Sequence, residues 1–211
     1  MPLRETLASL LPELEEKAKL REDTIGNSRR IIILSKQAVM AIHRGDLKVA
    51  STRLEEAERT LRDVENRLAA HPDLRSGPMT VAYQEYVEAR VLEAVATGRD
   101  FPSPSDLEVP TVPYLLGLAD AVGEFRRRAM EALTKGNLDE AEASLRRMED
   151  IYHELLPLEL FYSLAPELRR KMDVARHLVE LTMGDIHAET RRGALERTMR
   201  SLESKLEEKG T

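Results

Sequence analysis

The stretch HRGDLKVASTRLEEAERTL, residues 43–61, contains the signal that best indicates the fold of this chain. A helical pattern over residues 2–44 stops at Gly45, because glycine readily adopts the left-handed conformation that ends helices. Asp46 follows at once, and its carboxylate can accept hydrogen bonds from the first free N–H groups of a new helix. The stretch therefore predicts two helices joined by a tight turn.

The same pair of signals occurs again in the stretch TKGNLDEAEASLRRMEDIY, where Gly136 ends one helical pattern and Asn137 can cap the next. The other helices and the Pro- and Ser-rich connector follow from the same kind of pattern. Helices are predicted over residues 46–70, 78–97, 113–135, 137–157 and 166–208, with a connector from residue 98. We expect an all-α protein, a single-domain antiparallel helical bundle of about six to seven helices over residues 1–211, with long N- and C-terminal helices.

The composition agrees with this fold class and limits the chemistry. Of the 211 residues, 42% are hydrophobic and 33% are charged, which is enough for a sizeable core. The chain has no cysteine, so a metal ion would need oxygen or imidazole ligands. No run approaches the roughly 20 apolar residues of a membrane span, and the N-terminus lacks the features of a signal peptide. We expect a cytoplasmic protein that does not enter a membrane.

The net charge of −6 argues against nucleic-acid binding through one exposed basic face, because phosphate binding needs concentrated positive charge. Arginine is nevertheless clustered. The clusters lie at residues 29–30, 126–128, 146–147, 169–170 and 191–192. Solvated helix faces explain such clusters, and local binding of phosphate is the alternative.

The C-terminal helix carries an apolar seam. Leu195, Met199, Leu202 and Leu206 follow one another at spacings of four, three and four residues. This spacing is typical of a helix that packs along another helix. The partner is either another subunit or the chain's own bundle.

The helix predicted over residues 78–97, PMTVAYQEYVEARVLEAVAT, has the most informative polar positions. Its apolar residues form a broad arc. The arc comprises Val81, Val87, Val91, Leu92, Ala94 and Val95. Arg90, Glu93 and Thr97 mark the side that the pattern predicts to face solvent.

Glu85 and Glu88 fall inside this apolar arc. Two carboxylates beside an apolar interior are costly unless cations or hydrogen bonds compensate them. Side chains three residues apart on a helix are close enough to bind one hard divalent ion together. The pattern therefore allows a metal site, but in so highly charged a chain it favours the alternatives, which are pairing with arginine or a place in a subunit interface.

The next helix, PYLLGLADAVGEFRRRAMEAL, behaves differently. Asp120, Glu124 and Arg127 lie together on the side opposite its apolar arc. The pattern predicts that this side faces solvent, and it does not by itself select Asp120 as a metal ligand.

Three short motifs resemble those of the translin and translin-associated factor X (Trax) family. YQEYVEAR from Tyr83 is similar to the Trax motif L-Q-E-Y/F-V-E-A, and PYLLGLADAVGEFRR from Pro113 to D-Y-L-L-G-V-A-D-x-x-G-E-L-M-R. SRRIIILSKQ from Ser28 is similar to S-K-R-x-I-F-x-L-H-R. The motifs stand in the family's order, and the glutamate pair resembles Trax rather than translin subunits. The chain departs from the pattern at Pro113, where the family usually has Asp.

The resemblance implies a translin-like helical fold and a site in which Glu85, Glu88 and Asp120 are the metal-binding catalytic carboxylates. Glu124 would be a fourth acidic metal ligand. The implied cofactor is Mg²⁺ or Mn²⁺. By the same resemblance the candidates for RNA binding are Arg29, Arg30 and Arg127, although Arg127 could instead simply pair with Glu124.

The expected activity is endonucleolytic cleavage of RNA, mainly single-stranded, inside a homo-oligomeric shell that the resemblance implies to be an octamer, with a translin-like subunit as a further partner. An interior site would let an acidic protein bind RNA. The alternative is a non-catalytic RNA-binding or scaffold subunit. A di-iron bundle is disfavoured because no Glu-x-x-His motif includes Glu85 or Glu88.

Overall fold

The structure is a computed structural model that describes residues 3–74 and 77–209. In these residues the chain forms six α-helices and two short 3₁₀ helices, with no strand. The α-helices are α1 Leu3–His43, α2 Leu47–Leu68, α3 Pro78–Ala96, α4 Thr111–Thr134, α5 Leu138–Leu155 and α6 Pro166–Lys209; the 3₁₀ helices are Pro72–Leu74 and Leu156–Phe161. The predicted all-α class, with its long first and last helices, is confirmed.

The two predicted turn signals act as expected. The Asp46 carboxylate accepts a hydrogen bond from the backbone N–H of Val49, and the Asn137 side chain accepts one from the N–H of Glu140. The glycines that precede these caps, Gly45 and Gly136, have φ angles of 78° and 71°, a region that only glycine enters without strain.

The chain divides into two compact units, residues 1–118 and 119–211. In the first unit α1 packs against α2 and α3. Its largest fully buried side chains include Ile31, Leu54, Leu61, Leu68, Met79, Tyr86 and Leu92. In the second unit α5 packs against α6, and Phe125, Met148 and Leu168 are fully buried. The single domain predicted for residues 1–211 stays a prediction.

Helix α3 is buried on more sides than its sequence pattern predicts. The prediction that Arg90 and Glu93 face solvent is wrong, because Glu93 is only 5% exposed and Arg90 is half-buried. Val81, which was expected within the apolar arc, is 45% exposed. The reason is that Arg90 and Glu93 form an ion pair, so their charges compensate each other away from water.

The apolar seam of α6 is not covered by any of the residues that the structure describes. Leu195, Met199, Leu202 and Leu206 are 53–70% exposed. Of the two partners that the sequence allows, the chain's own bundle is therefore not the one observed. Among the described residues, no helix combines the length and apolar character that a membrane span needs.

Candidate functional site

Glu85 and Glu88 lie in the middle of α3, and both are half-buried. The helix starts at Pro78, which has no backbone N–H to satisfy and is therefore favourable in a first turn. The side chains of Gln84 and Val87, which alternate with the glutamates, are buried. Glu85 and Glu88 are about one helical turn apart and lie on the same, partly exposed side of α3, as their spacing of three residues predicts.

A close approach between α3 and the start of α4 fixes the backbone beside the two glutamates. A Cβ atom on Gly117 would lie 2.5 Å from the carbonyl oxygen of Gln84 and 2.9 Å from Cβ of Val87. Only glycine fits at this distance. The glycine of the LLGLAD motif therefore helps to position the helix segment that carries Glu85 and Glu88.

The Glu85 carboxylate has a cationic partner on α1. Nζ of Lys36 lies 3.1 Å from Oε1 of Glu85, and the lysine side chain is 60% exposed, whereas that of Glu85 is 23% exposed. The charge of Glu85 is therefore compensated by a flexible surface ammonium group and not by a buried arginine.

Asp120 lies on α4 in the second unit and is also paired. Both of its carboxylate oxygens accept hydrogen bonds from Nζ of Lys171 on α6. The lysine side chain is largely buried, and the two residues line a cavity of about 290 Å³ together with Gly123 and Arg170. The side of α4 that was predicted to face solvent is thus half-buried at Asp120.

The two other polar positions of this side of α4 interact with each other. Nη1 of Arg127 lies 3.8 Å from Oε2 of Glu124, and its Nε lies 3.3 Å from Oε1 of Glu131. Arg127 is exposed and Glu124 is half-buried. Arg127 therefore pairs with Glu124, one of its two predicted roles, and its contact with RNA stays a prediction.

The two arginines of the SRRIIILSKQ motif have different surroundings. Nη2 of Arg30 lies 2.5 Å from Oε1 of Glu56 on α2, and this hydrogen bond lowers the pKa of Glu56 below its ordinary value. Arg29 is exposed and has no ion-pair partner among the residues that the structure describes. Arg29 is thus more available for a ligand than Arg30.

A second polar cluster lies on another side of α3. The guanidinium of Arg90 donates hydrogen bonds to Glu93, to Glu58 and to the hydroxyl of Tyr86. Glu93 also pairs with Arg99 of the following loop, at 3.4 Å. These residues line a cavity of about 220 Å³ with the loop, and their reciprocal pairing indicates a structural role.

The glutamate pair on α3 offers the carboxylate oxygens that a hard divalent cation prefers as ligands. Mg²⁺ is often bound by only one or two carboxylates, with water and substrate phosphate as its other ligands. Within the described ranges there is no group of three or more His, Asp or Glu side chains arranged to hold a metal ion. Glu85 and Glu88 therefore supply two carboxylates of the kind that Mg²⁺ uses, and a metal ion at this pair stays a prediction.

Sequence reasoning missed the two lysines that contact the candidate carboxylates. Lys36 stands within the quoted SRRIIILSKQ motif, seven residues after Arg29, and this spacing on one helix face could have identified it. No local pattern points to Lys171, because it contacts Asp120 across 51 residues of sequence.

Comparison with known proteins agrees with this arrangement. Residues 79–180, which run from the second residue of α3 into the first part of α6, match the Translin family. A protein of Methanocaldococcus jannaschii described as uncharacterised is 34% identical over 179 residues, which are 84% of this chain and 79% of that protein.

Solved structures extend the similarity to nearly the whole chain. The crystal structure of AfC3PO is 34% identical, with a TM-score of 0.82, over 89% of this chain and 98% of that one. The complex of AfC3PO with duplex RNA is 32% identical, with a TM-score of 0.78, over 89% and 97% of the two chains. Apo-NeC3PO is 30% identical, with a TM-score of 0.77, over 90% and 98%. The predicted translin-like fold is confirmed, and the chain belongs to the Translin family.

Proposed function

We propose that this chain is a Trax-like subunit of an RNA-binding assembly that cleaves RNA with Mg²⁺ or Mn²⁺ held by Glu85 and Glu88. The observation that carries the proposal is the half-buried glutamate pair, because the cation that now compensates Glu85 is an exposed lysine. An exposed ion pair is weak and can be replaced. A buried structural pair, such as that of Glu93 with Arg90, cannot be replaced in this way.

The similarity to AfC3PO supports RNA as the ligand. That protein is known in complex with duplex RNA, and the similarity covers 89% of the present chain. Duplex RNA therefore joins single-stranded RNA among the substrates to be tested. Arg29, Arg30 and Arg127 are the proposed phosphate contacts, and exposed Arg29 is the best placed of the three.

The chain's own groups have separate tasks in the proposed reaction. Glu85 and Glu88 supply the negative charge that binds the cation, and the α3–α4 contact at Gly117 keeps their helix in place. When bound, a divalent cation supplies a Lewis acid that polarises the scissile phosphodiester. Asp120 and Glu124 are proposed as further acidic ligands, and metal binding at Asp120 would have to replace Lys171.

A second candidate function is that of a non-catalytic RNA-binding or scaffold subunit. Its support is that lysines already compensate Glu85 and Asp120. In that case the carboxylates stabilise the fold and the chain binds RNA without cutting it.

Cleavage assays distinguish the two functions. Labelled single-stranded and duplex RNAs are incubated with the protein and Mg²⁺, Mn²⁺ or EDTA. We expect metal-dependent cleavage by the wild type, and loss of cleavage to the EDTA level when Glu85→Gln and Glu88→Gln are combined. Glu55→Gln, an exposed carboxylate on α2, is the matched control and should cleave normally. RNA binding without cleavage by the wild type would favour the scaffold, and cleavage by the double variant would exclude this site.

Thermal melts test the metal site without relying on activity. Replacing both glutamates by glutamine removes the repulsion between like charges, and the cation that Glu85 loses is an exposed lysine, so the stability measured in EDTA should hold or rise. The increase in Tm that Mn²⁺ produces in the wild type should disappear, because a ligand stabilises only a state that binds it. A double variant that melts much earlier in EDTA, with an unchanged response to Mn²⁺, would contradict the metal site.

A further inference from the structure

Lys36 connects the candidate metal site with the surface of α1. Its Nζ contacts Glu85 at 3.1 Å, but most of the lysine side chain is in solvent. A lysine ammonium is a single charge on a flexible four-carbon stem, so it can leave one partner for another with little strain. The residue is therefore placed to alternate between the carboxylate and a second anion.

The position of Lys36 on α1 indicates what that second anion is. Lys36 lies seven residues after Arg29, which is about two helical turns, so the two cationic side chains share one face of the helix. Arg29 is exposed and has no ion-pair partner within the described part of the chain. Two cations in line along a helix face suit a ligand with repeated negative charges, such as the phosphates of RNA.

We propose that Lys36 is a phosphate-binding residue that Glu85 holds in the metal-free protein and that a divalent cation at Glu85 and Glu88 releases towards RNA. This inference rests on the proposed function. A doubly charged ion competes for the same carboxylate oxygen more strongly than an ammonium group does. The displaced ammonium is then unpaired, exposed and next to the place where the RNA backbone is proposed to bind.

The exchange couples metal binding to RNA binding. Metal-free protein contacts RNA without Lys36, whereas metal-loaded protein gains one further phosphate contact. Because binding free energies are reciprocal, RNA that engages Lys36 also strengthens metal binding. The glutamate–lysine pair thus favours RNA binding by the metal-loaded form of the protein.

The test compares Lys36→Met with wild type, with Lys36→Arg, and with Lys19→Met as control. Lys19 is an exposed lysine of the same helix, about 100° around from Lys36, so its replacement makes the same change of charge on another face. Mn²⁺ binding without RNA is measured by calorimetry. Binding of a hydrolysis-resistant phosphorothioate RNA, single-stranded, is measured by fluorescence anisotropy at several salt concentrations, with Mn²⁺ or EDTA.

We expect Lys36→Met to bind Mn²⁺ roughly 2- to 5-fold more tightly, the factor that corresponds to losing an exposed ion pair as competitor. The salt dependence is the slope of the logarithm of the RNA-binding constant against the logarithm of the salt concentration. With Mn²⁺ present, this slope should be smaller in magnitude for Lys36→Met than for the wild type by about 0.7, the value of one phosphate contact on a single strand. In EDTA the two should have the same salt dependence. Lys36→Arg should bind RNA like the wild type. Lys19→Met should behave like the wild type in both Mn²⁺ binding and RNA binding.

Two results would overturn the role of Lys36. In one, RNA binding by Lys36→Met in Mn²⁺ depends on salt as strongly as RNA binding by the wild type does. In the other, Lys36→Met binds Mn²⁺ more weakly than the wild type does. The combined Glu85→Gln and Glu88→Gln variant separates this failure from failure of the proposed function. If that variant loses Mn²⁺ binding while Lys36→Met behaves like the wild type, only the coupling is wrong. If it binds Mn²⁺ normally, the metal site and the coupling are both wrong.

Discussion

Glu93 joins the C-terminal end of α3 to the loop that follows it. Its carboxylate contacts Nη1 of Arg90 at 3.0 Å and Nη2 of Arg99 at 3.4 Å. Helical periodicity predicts that a charged residue such as Glu93 faces solvent. It cannot show that Arg99 of the following loop is a partner, because the loop lies outside the helix. Sequence therefore identifies the carboxylates of α3, but only the folded chain separates structural Glu93 from the candidate ligands Glu85 and Glu88.

Replacing Glu93 by alanine should lower the free energy of unfolding by about 1.5 to 3 kcal/mol, because the half-buried guanidinium of Arg90 loses one of its two carboxylate partners and keeps Glu58. Urea denaturation measures the difference. Glu142→Ala, which removes an exposed ion pair with Arg146, should change the stability by less than about 1 kcal/mol. Equal effects of the two substitutions would show that the Glu93 cluster is not the structural pair described here.

The buried phenol of Tyr86, in the same cluster, should make the folded protein less stable at high pH. Burial raises the pKa of its phenol above the ordinary value of 10.0, although Arg90 acts in the opposite direction. Above pH 10 the unfolded chain therefore loses the phenol proton before the folded chain does, and the stability falls as the pH rises through the folded-state pKa. Unfolding free energies measured from pH 8 to pH 11 should decrease less steeply for Tyr86→Phe than for the wild type. A parallel decrease in both proteins would assign the effect to other groups.

At the scale of the elements, the helices follow from local signals and their pairing does not. Asp46 and Asn137 cap the helices that the sequence predicts them to cap, because an N-cap acts within three residues. The ion pairs Lys36–Glu85 and Asp120–Lys171 join different helices. Such pairs depend on how helices pack, and the spacing within one helix does not say which residues of another helix they contact. Helical periodicity accordingly singles out Glu85 and Glu88, and motif resemblance adds Asp120, whereas neither identifies the lysine that pairs with each carboxylate.

Two glycines of α4 offer a matched test of the α3–α4 contact. At Gly117 an added methyl group would meet the backbone of Gln84, whereas at Gly123 it would meet nothing within 4 Å. Gly117→Ala should therefore lower the stability by about 1 to 3 kcal/mol, and weaken Mn²⁺ binding because α3 has to shift beside Glu85. Gly123→Ala should leave the stability unchanged or raise it by up to about 1 kcal/mol, since alanine favours helix. Chemical denaturation and calorimetry measure both effects, and equal behaviour of the two variants would remove the positioning role of Gly117.

At the scale of the whole molecule, both terminal helices expose apolar side chains. On α1 they include a row near the N-terminus, Leu3, Leu7, Leu10, Leu11 and Leu14, which are 45–73% exposed. On α6 they include the four residues of the seam, which are 53–70% exposed. Exposed apolar residues in rows at helical spacing are typical of surfaces that bind other proteins. The predicted homo-oligomer explains this exposure, and the number of eight subunits rests on the family resemblance.

Light scattering at micromolar concentration should show an oligomer for the wild type, with eight subunits as the expected size. Leu202→Glu places a charge in the middle of the α6 seam and should shift the protein to smaller species, because a charge buried in an interface without a partner is costly. Its circular dichroism should keep the wild-type helical signal, since Leu202 is already 56% exposed in the single chain. Ser204→Glu is the matched control, because it adds the same charge on the opposite side of α6 and should leave the assembly intact. A wild type that is monomeric, or a Leu202→Glu variant of unchanged mass, would show that the seam is not a subunit contact, and the proposed enclosed RNA site would then have no basis.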